Sequence, residues 1–148
     1  MDFFGSKEKQ EELLRILNSW KGTPYRHRTG VKGKGVDCIH LVGCVMVEAG
    51  VLRRFEVPDY PSDWHLHHTD ELLREGIAQF PFCEEFNPKV IQPLNGDILL
   101  FQYGRASAHS TIYFDGYIWQ AMSGDRVRKN SIKLFESRLT TGFRIKKL

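Results

Sequence analysis

Gly35-Val36-Asp37-Cys38-Ile39-His40-Leu41-Val42-Gly43-Cys44-Val45-Met46-Val47-Glu48-Ala49-Gly50 is the stretch on which the reading of this chain turns. Leu41, Val42, Val45, Met46 and Ala49 recur at helical spacing. Apolar residues reach round nearly every face, which predicts a buried helix. Asp37 stands at the N-cap position, where a carboxylate accepts from the free N–H groups of the first turn. Gly50 stands where a left-handed residue closes a helix. Cys38 then falls in the first turn, where the helix dipole and unpaired N–H groups favour an anion such as a thiolate. On these residues alone Cys38 has two readings, a small core residue and a mounted nucleophile.

The chain has 148 residues, which predicts one domain spanning 1–148. At that length about 70% of the unfolded chain's surface can be buried. A composition 41% hydrophobic and 26% charged is ordinary for a globular domain and argues against extended disorder. The net charge is +3, and the cations fall in short clusters, Lys32 and Lys34, Arg53 and Arg54, Lys146 and Lys147. That pattern reads as a solvated surface, with no nucleic-acid partner expected. Three cysteines without a CxxC pair fit free thiols in a reducing compartment. The N-terminal residues lack a basic start and an apolar core, and no segment approaches membrane-spanning length. A chain made in the cytoplasm without a membrane partner is expected, reaching any outside target by another route.

Taken in order, residues 6–19 predict a helix capped by Ser6, with a stripe of Leu13, Ile16, Leu14 and Leu17. Trp20 to Gly35 is a loop rich in glycine, and it carries Tyr25, Arg26, His27 and Arg28. A loop that runs into a helix bearing a thiol is a candidate site wall. Tyr25 is its most useful residue, since a phenol hydroxyl can orient a carbonyl or carboxylate; packing at the loop edge is the alternative. Residues 51–63 read as irregular. Thr69 or Asp70 is expected to cap a further helix with Leu72, Leu73 and Ile77 on its stripe. His65, His67 and His68 invite a metal reading, but the spacing departs from HExxH and no cysteine pair completes a tetrahedral set. No metal or cofactor is predicted, and the histidines read as a polar rim. Phe80 to Pro93 reads as a linker. Cys83 lies there beside Glu84 and Glu85, which disfavour a thiolate, and Cys44 reads as buried in mid-helix.

From Leu94 the pattern changes to strands. Asn95-Gly96-Asp97 is a turn signal, followed by apolar runs at 98–103, 108–114 and 117–122. Asp115-Gly116 between two such runs predicts a tight hairpin. Residues 127–134 and 143–147 are candidates for further strands. Helices first and an antiparallel sheet second make the class α+β. If Asp115 and Gly116 form the turn, Phe114 faces Tyr117, position 111 opposes Gln120, and His109 lies one diagonal step away on the same face. A Gln carbonyl can hold one imidazole N–H and leave the other nitrogen for a thiol, as in a Cys–His–Gln triad. Two polar positions on a half-exposed sheet are the alternative.

Gly22-Thr23-Pro24-Tyr25 and Gly35-Val36-Asp37-Cys38 resemble the N-terminal half of the NlpC/P60 cysteine peptidases. Gly96-Asp97-Ile98-Leu99-Leu100-Phe101 and Ala108-His109-Ser110-Thr111-Ile112-Tyr113 resemble their second half, and Trp119-Gln120-Ala121 falls at their third polar catalytic position. Tyr60 to Ile77, with Trp64 and His67, is similar to the branch associated with the tails of phages and gene-transfer agents. The resemblance covers 20–50 and 94–125 in unpermuted order. It implies a papain-like fold with the Cys helix packed on an antiparallel sheet. It also implies hydrolysis of amide bonds in peptidoglycan peptides, often beside D-glutamate or a diamino acid. Cys38 is then the nucleophile, His109 its base and Gln120 the orienting residue. Tyr25 positions substrate or the oxyanion, Asp37 belongs with it on the substrate side, and the Cys38 N–H is an oxyanion donor. Phage-like tail proteins are the implied partners. The sequence departs from the family at Ile39 and His40, where many members have Ser and Gly, at Gln120, where His is commoner, and in the loop 26–30. Two alternatives stay open: a structural tail component without activity, and a thiol amidase or acyltransferase acting away from the wall.

Overall fold

A computed structural model describes residues 1–57 and 71–148. Trp64, His65, His67, His68, Thr69 and Asp70 lie outside the described residues, as does most of the stretch compared with the tail-associated branch. Ser6 starts α1 (Lys7–Trp20), its hydroxyl accepting from the Lys9 N–H at 3.2 Å. Leu13, Ile16, Leu17 and Trp20 form the buried stripe of α1. The following loop contains a short antiparallel pair, β1 (Gly30–Val31) and β2 (Gly35–Val36), where a plain loop was expected. Next comes α2 (Cys38–Glu48), capped by Asp37, with Gly50 beyond its end at φ +85°. Leu41, Val42, Val45 and Met46 are buried, whereas Cys44 is only half-buried, with its thiol 3.8 Å from the Gly30 carbonyl. The Trp20 indole N–H donates to the Glu48 carboxylate at 2.7 Å and ties α1 to the end of α2.

The helix α3 (Leu72–Ala78) buries Leu73 and Ile77 but leaves Leu72 exposed. Its N-cap is Glu71, which makes no side-chain capping bond. The Glu71 carboxylate reaches instead to the Ser107 N–H at 2.8 Å. The supposed linker contains a strand, β3 (Cys83–Phe86). Its apolar ends, Cys83 and Phe86, are half-buried while Glu84 and Glu85 are exposed, so the strand takes one edge of the sheet with a charged outer row. The remaining strands are β4 (Ile98–Tyr103), β5 (Ala106–Phe114), β6 (Tyr117–Gln120), β7 (Arg128–Ser131) and β8 (Leu139–Ile145). They form one antiparallel sheet in the order β3-β8-β4-β5-β6-β7. The run expected at 127–134 is a strand only to Ser131, then a 3-10 turn at Ile132–Leu134.

The hairpin between β5 and β6 has the expected register. Asp115 and Gly116 both have positive φ, +49° and +86°, which a two-residue turn of this hand requires. Phe114 pairs with Tyr117 and Ile112 with Trp119. One face of the sheet packs against the helices through Leu100, Ile112, Trp119 and Phe143. The other carries a smaller cluster of Leu99, Phe101, Tyr113, Ile118 and Leu139. Among the described residues no helix is long and apolar enough to cross a membrane.

Asp97 leads into β4 and Arg144 lies on β8. The guanidinium meets both carboxylate oxygens, at 3.1 and 2.8 Å, and Asp97 also accepts the Leu94 N–H at 2.7 Å. Asp97 is 3% exposed and Arg144 16%, so removing the cation strands a buried carboxylate. Arg144→Ala is expected to lower stability by about 3 kcal/mol in urea unfolding. Lys7→Ala, which removes an exposed pair to Glu11, is expected to leave the unfolding midpoint unchanged.

Candidate active site

Asp37 organises the approach to Cys38. One oxygen accepts the His40 backbone N–H at 2.8 Å and faces the His40 ring nitrogen Nδ1 at 2.7 Å. The other accepts the Arg28 N–H at 2.7 Å. Arg28 has φ +57°, a strained conformation for a residue with a side chain, and that bond helps to hold it. Burial raises the Asp37 pKa, but the hydrogen bonds from His40 and Arg28 outweigh it and keep the carboxyl below its ordinary value. The carboxylate is 2% exposed and both its oxygens are engaged. Tyr25 stands beside β2, its N–H bonded to the Asp125 carbonyl at 2.9 Å and its backbone bridged to Val36. Burial, with the nearby Cys38 and Asp37 charges, pushes the phenol up to about 12, so it keeps its proton and remains a donor.

Cys38 opens α2 against the strand that carries His109. Its sulphur lies 3.9 Å from the Ala108 carbonyl, and the Ser110 hydroxyl donates to the Cys38 carbonyl at 3.0 Å. Both chain neighbours of His109 therefore touch Cys38. Alternation along β5 puts Ala108 and Ser110 on the α2 face. His109 goes to the other face, where its ring meets Phe101 and Tyr103 at centroid distances of 6.4 and 5.6 Å. The Arg138 guanidinium stacks over Tyr103 at 4.6 Å and backs that wall. Register pairing of β5 with β6 ends at Ile112 and Trp119. The sulphur thus lies along the backbone edge of β5 beyond the last paired residues of the hairpin.

His109 and Gln120 meet, as the hairpin register predicts. The imidazole Nε2 is 2.8 Å from Gln120 Oε1, and the Gln120 amide nitrogen donates to Asn130 Oδ1 at 2.9 Å. With Gln120 Oε1 as the acceptor, the matching tautomer carries its proton on Nε2 and leaves Nδ1 its lone pair. Burial lowers the His109 pKa to about 4 despite the bond to Gln120. Burial also pushes the Cys38 thiol up, helped by the Asp37 charge and opposed by donors from Ser110 and Ile39. Burial thus favours the neutral form of each group, and among the described residues Cys38 Sγ and the His109 ring make no hydrogen bond to each other.

Ser110, Asn130 and Tyr103 escaped the sequence reading. Ser110 lies one residue beyond His109, so its proximity to Cys38 had a signal, whereas Asn130 reaches Gln120 only through the pairing of β6 with β7. The Cys83 thiol is pushed up to about 11 by burial, where the sequence reading pointed to Glu84 and Glu85. All three cysteines are free. Among the described residues no cluster of three or more His, Cys, Asp or Glu could hold a metal ion.

Comparison with family models finds no match, and comparison with curated proteins finds none either. Several solved structures that match over nearly the whole chain are NlpC/P60 domain proteins. An NLP/P60-family protein of Staphylococcus aureus subsp. aureus Mu50, described as similar to lipoprotein, superimposes with a TM-score of 0.66 at 17% identity. That match covers 100% of this chain but only 44% of the other protein. The peptidoglycan hydrolase RipB of Mycobacterium tuberculosis gives 0.63 at 18% identity, covering 99% of this chain and 70% of RipB. RipD of the same organism, a non-catalytic NlpC/p60 domain protein adapted to peptidoglycan binding, gives 0.55 at 14% identity, covering 97% and 100%. The α+β fold, with helices packed on a six-stranded antiparallel sheet, is that of these domains.

Between about pH 4 and 6.5 the unfolded chain binds a proton at residue 109 that the folded chain refuses. Stability contributed by this group is complete above pH 6.5 and is lost as the pH falls towards 4. The urea midpoint of the wild type is expected to drop further between pH 7 and pH 4.5 than that of His109→Gln; parallel curves would refute this.

Proposed function

We propose that this chain is a cysteine peptidase or amidase that hydrolyses amide bonds in peptidoglycan stem peptides, with Cys38, His109 and Gln120 as its triad. The observation that carries this reading is the buried 2.8 Å bond between His109 and Gln120, formed on the strand segment against which the Cys38 thiol packs. The hydrolase neighbours of the same fold support the substrate class. The similarity of residues 60–77 to tail-associated domains adds a setting, a particle whose tail carries the domain to the wall.

In the proposed reaction Cys38 attacks the amide carbonyl as its proton moves to His109 Nδ1. The imidazolium so formed is stabilised by Gln120 Oε1, which already accepts from Nε2. The developing oxyanion is held by the Cys38 N–H at the first position of α2 and by the Tyr25 hydroxyl. His109 protonates the leaving amine, then activates the water that hydrolyses the thioester. A neutral resting pair makes His109 a general base and does not require a preformed thiolate. Asp37 is a positioning residue in this scheme, because its oxygens are taken up by α2 and the loop that carries Arg28. A second reading follows from the raised thiol pKa. Such a thiol suits a domain that binds wall peptides or serves a tail as a structural part without cutting, and RipD is a non-catalytic neighbour of the same fold.

Cys38→Ala is expected to abolish release of amines from purified muropeptides while the far-UV spectrum and melting temperature stay those of the wild type. His109→Ala is expected to lower kcat by about 10²- to 10⁴-fold. Full turnover by Cys38→Ala would reject the triad, and tight muropeptide binding without turnover by the wild type would select the binding domain. Because the base is depressed, the acid limb of kcat/KM is expected near pH 4, well below the 6.5 of an ordinary histidine.

A further inference from the structure

Alongside α2 lies a cavity of about 350 Å³ that the proposed stem-peptide reaction does not use. Cys38 and Ser110 stand on its wall, and from there it runs between α2 and α3 past Val42, Met46, Leu73 and Phe82. Phe55 closes one side, its ring laid against Gly43, where any Cβ would collide with it. Glu56 and Gln79, polar residues of its lining, are solvent-exposed, and the Ser110 hydroxyl is bonded to the Cys38 carbonyl, so beyond Cys38 and Ser110 the described lining of the interior is apolar. Gly76 of α3 also lines it, and a Cβ there meets nothing within 4 Å. Stem peptides with D-glutamate or a diamino acid present charge, which such a lining does not match.

We propose that this cavity takes the apolar acyl chain of an ester or amide substrate whose carbonyl carbon is attacked by Cys38. The proposal rests on Cys38 being the nucleophile, and it extends the substrate class beyond stem peptides. Two observations carry it: the cavity has the thiol on its wall, and among the described residues the buried side chains lining it are apolar but for Ser110, whose hydroxyl is taken up by the Cys38 carbonyl. At about 30 Å³ per water-sized group, the volume has room for roughly ten such groups, which suits a chain of eight to ten carbons. The sulphur forms a bond to the acyl carbon as the carbon–oxygen or carbon–nitrogen bond breaks. The thiol proton passes through His109 to the leaving alcohol or amine. Water then adds its hydroxyl to the thioester carbon and returns a proton to sulphur, releasing the fatty acid.

The test is a chain-length series of p-nitrophenyl esters and p-nitroanilides, from acetyl to dodecanoyl, run beside the muropeptide assay. In at least one series kcat/KM is expected to rise about threefold per methylene up to octanoyl and to level beyond decanoyl. A flat or falling profile in both series overturns the proposal. Gly76→Leu, which adds bulk to the wall in a helix that gains from losing glycine, is expected to cut the octanoyl-to-acetyl ratio tenfold or more; an unchanged ratio places the chain elsewhere and overturns it. Cys38→Ala should abolish turnover of every acyl probe, and a chain-length rise that survives this substitution also overturns it. Muropeptide cleavage with no chain-length effect sinks this inference alone. A chain-length effect without muropeptide cleavage sinks the wall-peptide reading alone.

Discussion

One carboxylate holds the site together. Asp37 is buried, and its two oxygens take the first-turn N–H of α2, the His40 ring and the N–H of a strained Arg28. These bonds end the loop, start the helix and orient Cys38 in a single step. A buried carboxylate without donors would favour protonation, and here the donors outweigh burial. The helix therefore begins at Cys38 and at no neighbouring residue, and the loop bearing Tyr25 and Arg28 is drawn against the same end of the helix.

Burial also sets the character of the chemistry. The same packing that brings Cys38 onto β5 and His109 among Phe101, Tyr103 and Gln120 removes water from both groups. Desolvation penalises charge, so the thiol rises and the imidazole falls. The bond to Gln120 selects the tautomer that leaves Nδ1 basic, but it does not restore the proton affinity lost to burial. The amide chain from His109 through Gln120 to Asn130 acts on geometry, and the surrounding apolar walls act on protonation.

The cavity beside α2 gives the departures of this sequence a physical context. Ile39, at one of the positions where the chain departs from the family it resembles, lines that cavity, whereas the His40 ring meets Asp37 and lies 5.7 Å from the Phe55 ring. The two residues thus have different partners. One adds apolar surface beside Cys38, and the other adds a side-chain partner to the capping carboxylate.

Local pattern was enough wherever one element satisfied itself. Ser6, Asp37 and Gly50 marked the helix ends because caps answer orphan backbone groups within a few residues. Asp115-Gly116 fixed the hairpin register, and with it the meeting of His109 and Gln120, because side chains alternate and the turn admits one pairing. Strand β3 was not legible, since its glutamates and nearby prolines read as a linker and its pairing partner, β8, lies some sixty residues away. Asn130, the Glu71–Ser107 bond and the lowered pKa of His109 likewise depend on groups far apart in the chain. What the sequence by itself determined was the α+β class, the capped helix that mounts Cys38 and the shared face of His109 and Gln120, all set by short-range periodicity. Only the tertiary structure decided which strand carbonyl the thiol meets, that burial favours the neutral forms of Cys38 and His109, and that a largely apolar cavity opens beside the thiol, because burial and desolvation depend on how distant segments pack.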